Sequence, residues 1–354
     1  MTAADPTPTE TAPRVRALYS IAALVLAASL LYYSLRGIDW LRVWDILRGA
    51  RPLAICLAWA TITSAVFLRS IRWRVLLSAG KPVSVPLAFW ATAAGYLGNN
   101  LLPARAGELV RTVMISRRSG MSNAFVLATA LSERVSDAIA LIAISAAVLL
   151  AMPNPPGWLA VAARPFAIAG LCGAAAIALL PAFEALYFRI LKRVPVPPPL
   201  RSKLENALGH AIQGIRSFHD RRRLARFVAL TAVIWTMDAA NAAICARALG
   251  FHMTLPVAFL LIAGLGLGSA LPSTPGYVGI YQFVAVSILT PFGFRRSDAI
   301  ADILLMQALI YSVILFWGLI GLAKGRRGEV LTTRSETLPS ASQPVQDSGK
   351  GRPL

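Results

Sequence analysis

Three residues at a regular interval carry the first chemistry in this chain: Arg105, Glu108 and Arg111 stand at i, i+3 and i+6. On a helix that spacing brings Glu108 within pairing distance of both arginines, and the triad keeps one net positive charge. A planar guanidinium fork matches phosphate oxygens, so a phosphate-bearing ligand suits that charge; an ion cluster that only closes the local structure is the alternative. Asn99, Asn100, Gly98, Pro103 and Gly107 surround the triad. Pro103 removes a backbone donor and the glycines permit close backbone approach, which predicts a helix break over 99–106. Glu133, Arg134 and Asp137 follow at spacings of three and four, where they share a face and partly neutralise one another, or else reach to water from a span end.

A second break is written at 271–282. Pro272, Pro275, Gly276 and Gly279 interrupt any helix there, and Ser273 and Thr274 add hydroxyls beside them. The backbone N–H groups that open the next helix would favour an anion. Gly264, Gly266 and Gly268 lack the preceding strand and following lysine of a nucleotide loop, and read instead as a tight helix-packing seam. Asp238 and Asn241, one turn apart, are positioned to line a cavity together, although a neighbouring arginine would equally satisfy the acid. Arg69, Arg72, Trp73 and Arg74 read as a headgroup-level anchor.

The medium around these residues is lipid. Of 354 residues 56% are hydrophobic and only 14% are charged, against about 25% charged in soluble domains. Apolar runs at 17–35, 52–68, 87–102, 123–151, 160–188, 227–248, 257–271, 276–292 and 299–323 alternate with charged connectors. The net charge of +19 flanks these runs, where it sets topology and meets anionic lipid, so nucleic acid is not the expected partner. Cys56, Cys172 and Cys245 are isolated within apolar runs, and His210, His219 and His252 are scattered, so neither a metal nor another cofactor is expected.

Charge assigns the sides. Segment 189–226 holds Arg189, Lys192, Arg193, Arg201, Lys203, Arg216, Arg221, Arg222, Arg223 and Arg226 against Glu205 and Asp220, and 69–81 is basic without an acid; both are expected in the cytoplasm. Segments 152–163 and 249–256 carry no Lys, Arg, Asp or Glu and suit the outer face. Nine simple crossings violate this pattern. An all-α bundle of about six full spans plus two opposed re-entrant hairpins, at about 87–118 and 257–292, satisfies it, with both termini cytoplasmic. Hairpins entering from opposite faces suggest an inverted repeat of the kind that builds midplane sites in transporters. Segment 36–51 reads as an amphipathic helix in the interface. Residues 1–16 and 326–354 are expected to be disordered cytoplasmic tails, with the membrane domain at 17–325.

The run NNLLPARAGELVR at 99–111, then Arg118-Ser119-Gly120, Glu133-Arg134 with Asp137, and LPSTPG at 271–276 closing on Gly279 resemble the membrane domain of lysylphosphatidylglycerol synthases and its stand-alone flippase-like relatives. The resemblance covers roughly 17–325. It implies lipid translocation in a bacterial inner membrane, with cargo among phospholipids, isoprenoid-linked sugars and hopanoid-type lipids. It also implies no synthase activity here, because about thirty residues after the last span are too few for the soluble transferase domain. Gln282 departs from the glutamate expected after the Pro-Gly turn. The expected binding set is therefore Asn99, Asn100, Arg105, Glu108, Arg111, Glu133, Arg134, Asp137, Ser273, Thr274 and Gly276, with anionic membrane lipids as partners and no catalytic residue. A membrane-embedded lipid transferase and an accessory subunit recruiting a cytoplasmic lipid-synthesis enzyme are the rival expectations.

Overall fold

The computed structural model describes chiefly residues 28–101, 106–153, 155–179, 220–269 and 275–336. The described residues form helices and no strands. In chain order, after a helical stretch at 28–35, these are α1 (Trp40–Arg48), α2 (Pro52–Leu77), α3 (Val85–Leu101), α4 (Gly107–Ser119), α5 (Asn123–Ala151), α6 (Gly157–Leu179), α7 (Arg221–Ala248), α8 (Leu255–Gly268), α9 (Ile280–Leu289) and α10 (Arg296–Glu336).

Four of them, Pro52–Leu77, Asn123–Ala151, Arg221–Ala248 and Arg296–Lys324, are long and apolar enough to cross a membrane. The helices of the two hairpins are shorter. α3 has 17 residues, α4 13, α8 14 and α9 10, so at 1.5 Å per residue the longest reaches only about 25 Å of a hydrocarbon core of about 30 Å. The segments expected as hairpins, 87–118 and 257–292, correspond to the short helix pairs within Val85–Ser119 and Leu255–Phe292.

Local chemistry sets these limits. Ser122 caps α5, its hydroxyl accepting from the Phe125 N–H at 3.2 Å. Pro52 opens α2 at a position that needs no donor, and Gly120 closes α4 at φ +66°. Asp220 caps α7 by accepting from the N–H groups of Arg222 (2.8 Å) and Arg223 (3.1 Å). The Arg223 backbone bond above all holds its carboxyl below the ordinary aspartate range. That cap contributes above the unfolded aspartate pKa and is lost as pH falls through the lowered value. α10 runs past the expected tail boundary at 326 to Glu336, since no proline interrupts the chain before Pro339.

Contacts at the helix ends define two faces. On one, the Arg51 N–H donates to Ala248 O at 2.9 Å, Arg42 pairs with Asp298 at 2.9 Å, Arg296 donates to Tyr33 O at 2.6 Å, and Phe251 meets Phe294. On the other, Arg74 donates to Val83 O, and Arg118 donates to Lys324 O at 2.9 Å. The α3–α4 hairpin therefore opens on the second face and the α8–α9 hairpin on the first. α1, with Trp40, Leu41 and Trp44 exposed and Val43 buried, is the amphipathic helix read at 36–51.

Glycines set how closely the hairpin arms approach. A Cβ at Gly107 would lie 1.9 Å from Gly95 O and 2.5 Å from the Asn99 N, and one at Gly98 would lie 2.7 Å from the Gly107 Cα. The expected glycine seam is real on both sides of α8: Gly264 and Gly268 face α9 residues Val284 and Ile288 or Ile280, while Gly266 faces Leu141 of α5. Gly107→Ala is expected to destabilise the protein by at least about 1–3 kcal/mol, the range for overpacking, because the clash is with backbone and not with a side chain that can turn away. Thermal unfolding in detergent at wild-type temperature would show instead that the arms have room to part.

Candidate functional site

The ionic residues form a ladder across three elements. The Arg134 Nε donates to Glu108 Oε1 at 3.0 Å, Arg111 donates to Glu108 Oε2 at 2.5 Å, and Arg111 continues to Glu133 at 3.0 Å. Glu133 then meets Arg72 at 3.0 Å, and Arg72 forks onto Asp137 at 2.6 and 2.9 Å while donating to Thr231 at 3.2 Å. Asn99 joins by donating to Glu108 at 3.2 Å. Arg72, Arg111 and Glu133 are each 1% exposed. In this medium such charges survive only as matched, hydrogen-bonded sets.

This geometry revises three readings of the sequence. Arg72, taken as an interfacial anchor, is a buried centre of the ladder, and Trp73 beside it is fully buried, packing under the Arg111 guanidinium at 4.4 Å and donating to Thr129. Arg111 pairs with Glu108 as the spacing requires, but it is also spent on Glu133, so its cation supports the framework and presents no face to a ligand. Glu133, Arg134 and Asp137 are neutralised between helices and not along their own. Position 134 lies roughly a quarter of a turn off the face that 133 and 137 share, which turns Arg134 to one side of the ladder.

The way it turns leads to a cavity of about 260 Å³ between the two hairpins. Asn99, Asn100 and Tyr96 of the first hairpin and Gly266, Ser269, Tyr277 and Tyr281 of the second line it, together with Arg69, Arg134, Trp235, Asp238, Asn241, Gln307 and Tyr311. Arg134, 31% exposed, lies over the Tyr96 ring at 5.5 Å. Arg69 forms a bidentate pair with Asp238. The alternative left open for Asp238, satisfaction by an arginine, is thus what the structure contains. Trp235 Nε1 and Asn241 Oδ1 are buried at this wall without a protein partner among the described residues.

The tip of the second hairpin is held by α10. Gly276, at φ +76°, presents its carbonyl to the Tyr311 hydroxyl and to Gln307 Nε2 at 3.2 Å. Gln282 donates to Gln307 at 2.6 Å and accepts from the Gly279 N–H at 2.8 Å. A neutral amide does both tasks at once, which a carboxylate could not, so glutamine at this position has a structural reason. Tyr277 stacks on Tyr281 with centroids 5.0 Å apart at 11°.

Of the expected binding residues, Asn99, Asn100 and Arg134 line the cavity, and Gly276 lies at its rim through Tyr311. Glu108, Arg111, Glu133 and Asp137 stand behind it in the ladder. Arg105, Ser273 and Thr274 lie outside the described residues. The net positive charge expected of the triad rests on Arg105 and so lies outside the described residues; among those described, Arg69, Arg72, Arg111 and Arg134 are matched by Glu108, Glu133, Asp137 and Asp238. Arg69, Tyr96, Trp235, Tyr277, Gln307 and Tyr311 were not singled out as ligand-facing. The available signal was the spacing of Arg69 and Arg72, which puts both on one face of a helix whose partner acids lie far along the chain.

Residues 20–318, nearly the whole chain, match the family model described as "Lysylphosphatidylglycerol synthase TM region". The chain belongs to that family. It is also similar to the glycosyltransferase AglD of Haloferax volcanii, at 23% identity over 341 residues, covering 86% of this chain and 54% of that protein. The chain spans about half the length of that relative. Within the lysylphosphatidylglycerol synthase TM region, all six ion pairs of the ladder and cavity join residues inside the matched segment, so the site belongs to the membrane domain itself.

Proposed function

We propose that this chain is an inner-membrane lipid translocase, multi-pass with both termini cytoplasmic, which carries a phosphate-bearing lipid headgroup through the cavity between its hairpins. The observation that carries this reading is the cavity's position, where the tips of two hairpins opening on opposite faces meet. A site so placed is reached from either leaflet by rocking one hairpin against the other, the arrangement on which alternating access rests. Its volume fits a headgroup and leaves acyl chains in lipid.

Arg134 supplies the cation for the phosphate, since it is the ladder's most exposed guanidinium and its carboxylate partner, Glu108, keeps Arg111 and Asn99 when a ligand draws Arg134 away. Trp235 Nε1 and Asn241 Oδ1 offer a donor and an acceptor to the rest of the headgroup. A carrier is favoured over a transferase because Glu108, Glu133, Asp137 and Asp238 are each tied to arginine, which leaves none of them poised as a general base. The name of the Haloferax volcanii relative, a glycosyltransferase, favours a sugar on the lipid as a second form of the reading, and the stacked Tyr277 and Tyr281 give a ring a flat face to lie on.

The test is reconstitution into liposomes holding a fluorescent phosphatidylglycerol or a fluorescent neutral glycolipid without phosphate in both leaflets, followed by quenching of the outer leaflet from outside. The expected result is that the protected inner fraction becomes quenchable for phosphatidylglycerol and stays protected for the neutral lipid. Equal behaviour of both lipids would remove the phosphate assignment, and protection of both would remove the translocase reading.

A further inference from the structure

One buried acid in the membrane domain has no cationic partner among the described residues. Asp302 of α10 is fully buried, at 0% exposure, and neither carboxylate oxygen has a hydrogen-bond partner among the described residues. Its neighbours along the helix, Ala299, Ile300, Ala301 and Ile303, are 0–1% exposed and belong to the apolar core. Every other described acid at membrane depth is matched by an arginine.

The groups that face Asp302 offer it no counter-charge. Cys245 of α7, itself buried in the core, is within its electrostatic reach, whereas Arg247 of the same helix is exposed. Asp298, one turn earlier on α10, is engaged by Arg42 of α1. α8 and α9 carry no Asp, Glu, Lys, Arg or His, α3 contributes only Tyr96, and the arginines of α2 are at its far end, with Arg69 and Arg72 held by Asp238, Glu133 and Asp137. A metal cation would need several oxygen ligands, and no cluster of three or more acidic, histidine or cysteine side chains occurs among the described residues. A proton needs only one oxygen, and binding it removes a charge that this medium disfavours most strongly when unpaired.

Position places that proton on a route. Met306, one helical turn beyond Asp302 and on the same face of α10, lines the cavity. Asp302 lies about 9 Å in from Arg296 and about 6 Å short of Met306 along the axis, between the cavity and the face on which the second hairpin opens.

We infer that Asp302 is a proton-binding site that couples headgroup passage to a transmembrane proton gradient, taking up a proton as the neutral acid and releasing it when the α8–α9 hairpin rocks away from α10. The step transfers one proton between water and a carboxylate and needs no other reactant. It rests on the translocase reading for what the proton drives, and on the isolation of the carboxyl alone for the binding.

The two are separable in one preparation. Lipid movement by the full chain in liposomes is measured with and without an imposed difference of about one pH unit, a tenfold ratio of proton activity. Wild type is expected to move lipid faster under the gradient, by up to about tenfold, and Asp302→Asn, close to isosteric, is expected to give a rate ratio near one. A wild type indifferent to the gradient, or an Asp302→Asn variant that still responds, overturns the coupling. Infrared spectroscopy reads the site without transport: a protonated carboxyl C=O band is expected in wild type at neutral pH, absent from Asp302→Asn and displaced in Asp302→Glu, the second variant guarding against a misfolded first. A spectrum unchanged by either substitution overturns the proton site even where lipid moves, and a titrating band in a protein that moves no lipid leaves the site standing while the translocase reading falls.

Discussion

Arg72→Ala is expected to abolish most of the folded protein. The arginine joins Glu133 and Asp137, and among the described residues removing it leaves Asp137 with no paired cation and Glu133 with only Arg111. Breaking a buried pair from one side costs about 3–5 kcal/mol, which is a large part of the roughly 5–15 kcal/mol that holds a domain together. The measurement is recovery of monodisperse protein from detergent together with its unfolding temperature. Arg72→Lys is expected to rescue little, because a lysine ammonium cannot fork onto Asp137 and reach Glu133 at once. Arg72→Met combined with Asp137→Asn is expected to recover much of the loss, since Arg111 and Arg134 then remain matched by Glu108 and Glu133 and no charge is orphaned. An Arg72→Ala protein as stable as wild type would mean that the ladder does not hold the bundle.

Arg134→Gln separates function from framework. Its removal still leaves Glu108 with Arg111 and Asn99, so the unfolding temperature is expected to stay close to wild type. Lipid movement is expected to fall about ten- to a hundredfold, the effect of losing a charged hydrogen bond of about 1.5–3 kcal/mol to the phosphate. Arg134→Lys keeps a positive charge without the fork and should fall between the two. A variant that moves phosphatidylglycerol at the wild-type rate would remove Arg134 from the headgroup site, whereas one that unfolds would place it with Arg72 in the scaffold.

The architecture was readable because lipid imposes it. Apolar runs, the basic segment at 69–81 and the uncharged ones at 152–163 and 249–256 jointly argued against simple crossings, and the helices ending at Leu101 and Gly268 stop shortly before the proline positions 103 and 272. The pairing at i, i+3 between Glu108 and Arg111 was equally local and equally legible. Arg72 was not, because its partners are 61 and 65 residues away and a basic cluster after an apolar run has the same appearance whether it faces headgroups or a buried acid. The same distance hid Arg69 opposite Asp238. Aromatic and amide residues such as Tyr277, Gln307 and Tyr311 carry no spacing signal of their own. Their meeting depends on how α10 lies against the tip of the second hairpin, a tertiary fact with no local trace.

The span from Arg72 to Asp137 also has a consequence for biogenesis. α2 leaves the ribosome with an arginine that has no partner until α5, synthesised some sixty residues later, brings Glu133 and Asp137. A lone arginine at the centre of a helix costs about 2.5–3.5 kcal/mol on insertion. Arg72 sits five residues before the end of α2 at Leu77, near enough to water for its long side chain to wait there. Insertion of α5 then offers the acids that draw it inward, so the helix that arrives second completes the burial of the one that arrived first.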